Sequence, residues 1–151
     1  MSRGGRWSRA GRGTAIVEFV WLSVLLLVPL LYVVVAVFDT QRTAYAASVA
    51  ARSASRAFVT APDQRTGYAR ARTAARLAFA DQGVEDPHLS LVITCRPAPE
   101  ACLTPGSVVS AQVRSAADLP LLPHALGANT PRISVDAVHR SPYGRFREAR
   151  P

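Results

Sequence analysis

The sequence predicts an α+β protein: a long N-terminal helix, transmembrane and then amphipathic, followed by a second helix and a small antiparallel three-stranded sheet carrying one disulfide. Three observations predict it. An apolar run without a single charge occupies residues 19–38, and an alanine- and arginine-rich stretch with no glycine or proline continues directly to Val59. Beyond Pro87 the apolar residues change to strict alternation, and both cysteines, Cys95 and Cys102, lie in that part of the chain.

The apolar run, FVWLSVLLLVPLLYVVVAVF, is interrupted only by Ser23 and Pro29. At a rise of about 1.5 Å per residue it spans roughly 30 Å as a helix, the thickness of a bilayer's hydrocarbon core. The residues before it carry Arg3, Arg6, Arg9 and Arg12 and no acid, whereas the downstream flank begins with Asp39 and reaches its first arginine at Arg42. Positive charge collects on the cytoplasmic side of a single span, so the N-terminus is expected in the cytoplasm and the remainder outside. The expected organisation is therefore a basic leader at 1–13, a transmembrane helix at 14–38, its extracytoplasmic continuation at 39–60, and a small extracytoplasmic α+β domain with a flexible basic tail at 61–151.

The continuation, DTQRTAYAASVAARSASRAFV, is rich in alanine, a strong helix former. Ala44, Ala47, Val49, Ala51 and Ala54 approximate a face of small residues, with Arg42, Arg52 and Arg56 projecting elsewhere. A helix from Ala15 to Val59 would run for roughly 60 Å or more. Its upper half needs a partner, either the chain's own globular part or a neighbouring subunit. Ala61-Pro62-Asp63 marks a break, because proline disfavours helical geometry in the residue before it. A second helix is expected from Gln64 to Gln82, with Tyr68, Ala71, Ala75, Leu77 and Phe79 as its apolar positions and Gly83 as its left-handed cap.

Leu89, Leu91, Ile93 and Cys95 alternate with Ser90, Val92 and Thr94, the mark of a half-buried strand. Val109, Ala111 and Val113 repeat the pattern, and Ile133, Val135 and Ala137 repeat it again. Between these last two strands, residues 117–131 set Leu119, Leu121, Leu122 and Leu126 among prolines; they could fill the core, touch the membrane surface or meet a partner, and core filling is the default expectation. Outside the cytosol an even pair of cysteines is expected to be oxidised. Closing a loop of about eight residues contributes roughly 2.5 kcal/mol on chain-entropy reasoning. A Cys-x6-Cys spacing with no second pair is not a zinc pattern, and no metal or cofactor is expected.

All eighteen basic residues are arginine and the formal charge is +8, which alone would suggest nucleic acid. Four of those arginines are accounted for by membrane topology, and no aromatic stacking platform accompanies them. Catalytic apparatus is missing as well. His88, His124 and His139 are scattered outside any metal-binding spacing, and neither a phosphate loop nor a nucleophile elbow appears. Neither an enzyme, a nucleic-acid partner nor a small-molecule substrate is expected.

One residue breaks the apolar pattern in an informative way. Glu18 stands one position before the uncharged run, where a carboxylate at the bilayer edge costs on the order of 2–3 kcal/mol and marks a functional position by default. If the leader is removed between Gly13 and Thr14, the new amine lies four residues, one helical turn, from Glu18. Between neighbouring subunits such a buried carboxylate seeks a positive partner and sets the register of helix against helix.

Gly13, four residues, then Glu18-Phe19 resembles the class III prepilin peptidase site of type IV filament systems, in which cleavage follows the glycine. More narrowly, Val17 to Phe58 is similar to TadE-like proteins of tight-adherence (Flp) pilus loci, particularly actinobacterial ones. Cys95, Cys102, Leu103-Thr104-Pro105-Gly106 and Ser141-Pro142-Tyr143-Gly144-Arg145-Phe146 are also like that group. The resemblance implies a minor pilin or pseudopilin. Gly13 and Thr14 would flank the cut, Phe19 would belong to the recognition motif, and Glu18 would act in assembly. The implied partners are the lipid bilayer, the prepilin peptidase, other pilins or pseudopilins and the tight-adherence assembly platform, with the cell surface or pilus as destination after processing. Pro29 lies further into the helix than is usual in that family; it leaves the Leu25 carbonyl without its usual donor and is expected to kink the span, with Ser23 helping to satisfy nearby backbone. Two rival readings are a permanently anchored single-pass protein presenting a small disulfide-bonded binding domain, and a secreted domain released at Ala44-Tyr45-Ala46. The apolar run is longer than an ordinary signal core, which disfavours the second.

Overall fold

The computed structural model describes residues 11–84, 88–118 and 132–150. The elements run α1 (Gly11–Val59), α2 (Gln64–Asp81), β1 (Ser90–Arg96), β2 (Val108–Asp118) and β3 (Arg132–Pro142). Two compact units divide the chain, Met1–Ala36 and Val37–Pro151. Within Ala15–Val59, α1 holds an 18-residue window, long and apolar enough to cross a membrane, with a mean hydropathy of 2.7 and none of that window buried. A helix hydrophobic all round belongs in lipid or in a large core.

In the second unit the three strands form an antiparallel sheet in the order β1-β2-β3. Alternation sends Ile93, Cys95, Val109, Ala111 and Val113 inward. Those side chains join one core with Phe58 of α1, Phe79 of α2, and Leu103 and Tyr143 of the loops. Much of the helical contribution is alanine: Ala46, Ala47, Ala50, Ala51 and Ala54 are fully buried. The amphipathic half of the long helix thus finds its partner within its own chain. Its buried face is turned slightly from the expected one, since Thr43, Ala46 and Ala50 lie inside while Ala44 is exposed and Val49 half-buried. In α2, likewise, Tyr68 and Leu77 are exposed, and Gly67 and Ala78 complete the inner stripe. Tyr68 still meets Phe58 edge-on, ring centroids 5.1 Å apart.

Local signals place the second helix. Asp63 caps α2: its carboxylate accepts from the Thr66 backbone N–H and from the Thr66 hydroxyl, each at 2.8 Å. Those hydrogen bonds to Thr66, the backbone one foremost, hold the Asp63 carboxyl below the usual carboxylate range. A depressed folded pKa contributes stability above the unfolded value near 3.9, and that contribution is lost as pH falls through the folded value. Thermal melts between about pH 5 and pH 2 should therefore show a fall in stability that Asp63→Asn reduces; identical pH profiles would contradict the cap's contribution. At the other end Gly83 takes a positive φ of 65°, and the Arg42 guanidinium donates to the Gln82 carbonyl beside it.

The disulfide between Cys95 and Cys102 is formed, with Cα atoms 5.2 Å apart. Gln64 donates to the Glu100 carbonyl at 2.9 Å and ties the bridged loop to the start of α2.

Several residues of the basic tail, 141–150, hydrogen-bond to the body of the second unit. Tyr143 is buried, its N–H donates to the Ser107 carbonyl at 2.8 Å, and its hydroxyl donates to the Glu148 carbonyl at 2.7 Å. Arg147 donates to the Val59 carbonyl at 2.8 Å and Arg150 to the Ala61 carbonyl at 2.9 Å. A long helix ends with unsatisfied carbonyls and a partial negative charge; Arg147 caps one of those carbonyls, and Arg150 places a second positive charge just beyond the helix end. Replacing Arg147 and Arg150 together by alanine should cost about 1–2 kcal/mol of the second unit's stability; an unchanged melting temperature would show that the tail is not a cap. The leucine-proline segment expected to fill the core lies outside the described residues for 119–131.

Candidate functional site

The candidate site is the opening of α1. Gly13, Thr14, Glu18 and Phe19 all fall on one continuous helical stretch, so Thr14 and Glu18 are separated by about one turn. Glu18 is exposed, and Phe19, Trp21, Leu22 and Leu25 near it are all largely exposed. Among the described residues the Glu18 carboxylate has neither a hydrogen-bond nor an ion-pair partner. Among the described residues the site is thus an unpaired acid on an apolar cylinder. Chemically, that arrangement can accept one positive group from outside, and little else.

Further along, Pro29 lies inside the helix, which runs through it unbroken. Proline has no N–H to give the Leu25 carbonyl. Ser23, expected to help nearby backbone, makes no hydrogen bond among the described residues. The sequence-predicted residues therefore sort into two places. Gly13, Thr14, Glu18, Phe19 and Pro29 belong to the first unit, and Cys95 and Cys102 to the second.

Among the described residues no three His, Cys, Asp or Glu side chains gather where they would hold a metal ion. His88 is exposed, and His139 is half-buried opposite Ala111 on the sheet's inner side. Sequence reasoning missed two polar fastenings that shape the second unit. Ser141 donates to Ser55 at 2.9 Å within the core, joining β3 to α1, and Arg42 reaches the end of α2. A serine on a predicted inward strand position was the available signal for the first. The second joins residues forty positions apart, and nothing local announces it.

Compared with protein-family models, curated proteins and solved structures, the chain matches none.

Proposed function

We propose that the chain is a TadE-like minor pilin or pseudopilin of a tight-adherence pilus assembly or secretion system, cut after Gly13 and assembled through Glu18. The observation that carries this reading is the spacing of Gly13 to Glu18 and Phe19 at the opening of an apolar helix whose carboxylate has no partner among the described residues. An uncompensated carboxylate at the membrane edge is unfavourable, and an amine on Thr14 of a neighbouring subunit relieves it. The disulfide-bonded α+β unit, with its own core, suits exposure outside the cytosol.

On this reading the protein is not an enzyme. It inserts in the cytoplasmic membrane with its N-terminus inside, is the substrate of a membrane prepilin peptidase, and packs laterally against other pilins. The alternative, a permanent single-pass anchor for a binding domain, keeps its leader and tolerates loss of Glu18. Processing separates the two readings: cells with an active peptidase should yield a chain that begins at Thr14.

A further inference from the structure

The sheet's outer face carries a feature that neither anchoring nor filament packing uses. In cross-strand register, Thr94 faces Ser110 and Ser110 faces Arg140; one row away, Arg96 faces Val108. A concavity of about 380 Å³ opens over them, lined by Thr94, Arg96, Val108, Ser110 and Arg140. It continues into a larger one of about 780 Å³ bounded by Pro97, Pro99 and Gly106 beside the disulfide.

Two guanidiniums, two hydroxyls and no acid line the smaller basin. Neither Arg96 nor Arg140 has a hydrogen-bond or ion-pair partner among the described residues. Elsewhere on the same face Arg114 stands in register directly opposite Asp136, an acid of a kind that the basin lacks. Glu100, in the bridged loop, does not line the basin, and its carbonyl is taken by Gln64. The two arginines come from the two outer strands, roughly 10 Å apart by strand spacing, and both line the basin with Ser110 of the middle strand.

We infer that this basin binds an oxyanion, with Arg96 and Arg140 as paired guanidinium clamps and the Thr94 and Ser110 hydroxyls as supplementary donors. Guanidinium presents a planar fork matched to carboxylate and phosphate oxygens, and charge-assisted bonds of this kind are the strong ones. The shared ligand chemistry is a carboxylate or a phosphate ester brought by another molecule. The site stands apart from the pilin reading and does not depend on leader cleavage.

The test is titration of the full-length protein in a neutral detergent with inorganic phosphate and, separately, with a tetraglutamate peptide, followed by calorimetry and by the arginine side-chain NMR signals. Saturable binding is expected, with shifts at Arg96 and Arg140. Arg96→Gln and Arg140→Gln should each weaken it about tenfold and together abolish it. Arg114→Gln, which removes the same charge from the same face, should leave it unchanged. Tighter binding of phosphate would identify a phosphate ester as the natural ligand, and tighter binding of the peptide an acidic polypeptide. Absence of saturation with both probes, or equal weakening by Arg114→Gln, would overturn the site. All three side chains are exposed, so an unchanged melting temperature checks that each variant folds.

Discussion

Glu18→Ala is expected to insert into the membrane at least as readily as the native protein, to be processed, and to fail in assembly. Removing the charge takes away a desolvation cost on the order of 2–3 kcal/mol, so insertion does not suffer. On the proposed function, what is lost is the interaction between the carboxylate and a neighbouring subunit's terminal amine. Breaking a buried charge pair by removing one partner typically costs about 3–5 kcal/mol, because the other charge is left uncompensated. Repeated at each subunit added, a loss of that size leaves no filament. Glu18→Gln, which keeps the shape and most of the polarity, should fail as well. The amount of protein in the membrane and in the sheared surface fraction would be compared for each variant. Normal incorporation of either into filaments would remove Glu18 from the mechanism.

The largest expected effect on folding falls at the other end of α1. Phe58 is fully buried, and α2 is built around it: a β-carbon on Gly67 would lie 3.0 Å from its ring, and Tyr68 meets it edge-on. The remaining core is dominated by alanines, which offer little surface with which to close a gap. Phe58→Ala should therefore cost toward the upper end of the roughly 3–5 kcal/mol range for such truncations. For a unit of this size that lowers the melting temperature on the order of 10–20 °C. A loss below about 1 kcal/mol would mean that the helices rearrange and fill the space. Gly67→Val should also destabilise, by forcing the ring aside, and its effect should diminish in the Phe58→Ala background. Non-additivity of that kind is the signature of two residues sharing one contact.

The fold was legible where periodicity is strong. Alternation at Leu91, Ile93 and Cys95 named the inward face of β1, and the proline at Pro62 with Gly83 delimited the second helix to within a residue or two. The helix faces were read less well, because an alanine-rich sequence has almost no amphipathic contrast: Ala44 and Ala46 look alike, yet only Ala46 is buried. Tyr68 and Leu77 were drawn into the predicted stripe by their hydrophobicity, while Gly67 was overlooked because its role is to leave room for Phe58. The tail's hydrogen bonds were hidden for a different reason. Arg147 and Arg150 look like a solvated basic end until their carbonyl partners, 88 and 89 positions earlier, are in place. The candidate site was more visible in sequence than in structure, since a processing motif is defined by spacing and by one misplaced charge. The outer basin was invisible in the sequence, because Arg96 and Arg140 come together only through strand pairing.

The most direct test of the central claim is intact mass and N-terminal sequence of the protein from its native membrane, or after coexpression with the prepilin peptidase of the same genome. That peptidase should first be shown active on a second substrate. The account predicts a chain that starts at Thr14, with Glu18 as its fifth residue. A chain that starts at Met1 or Ser2 beside an active peptidase would contradict it, and would leave a permanently anchored domain in its place.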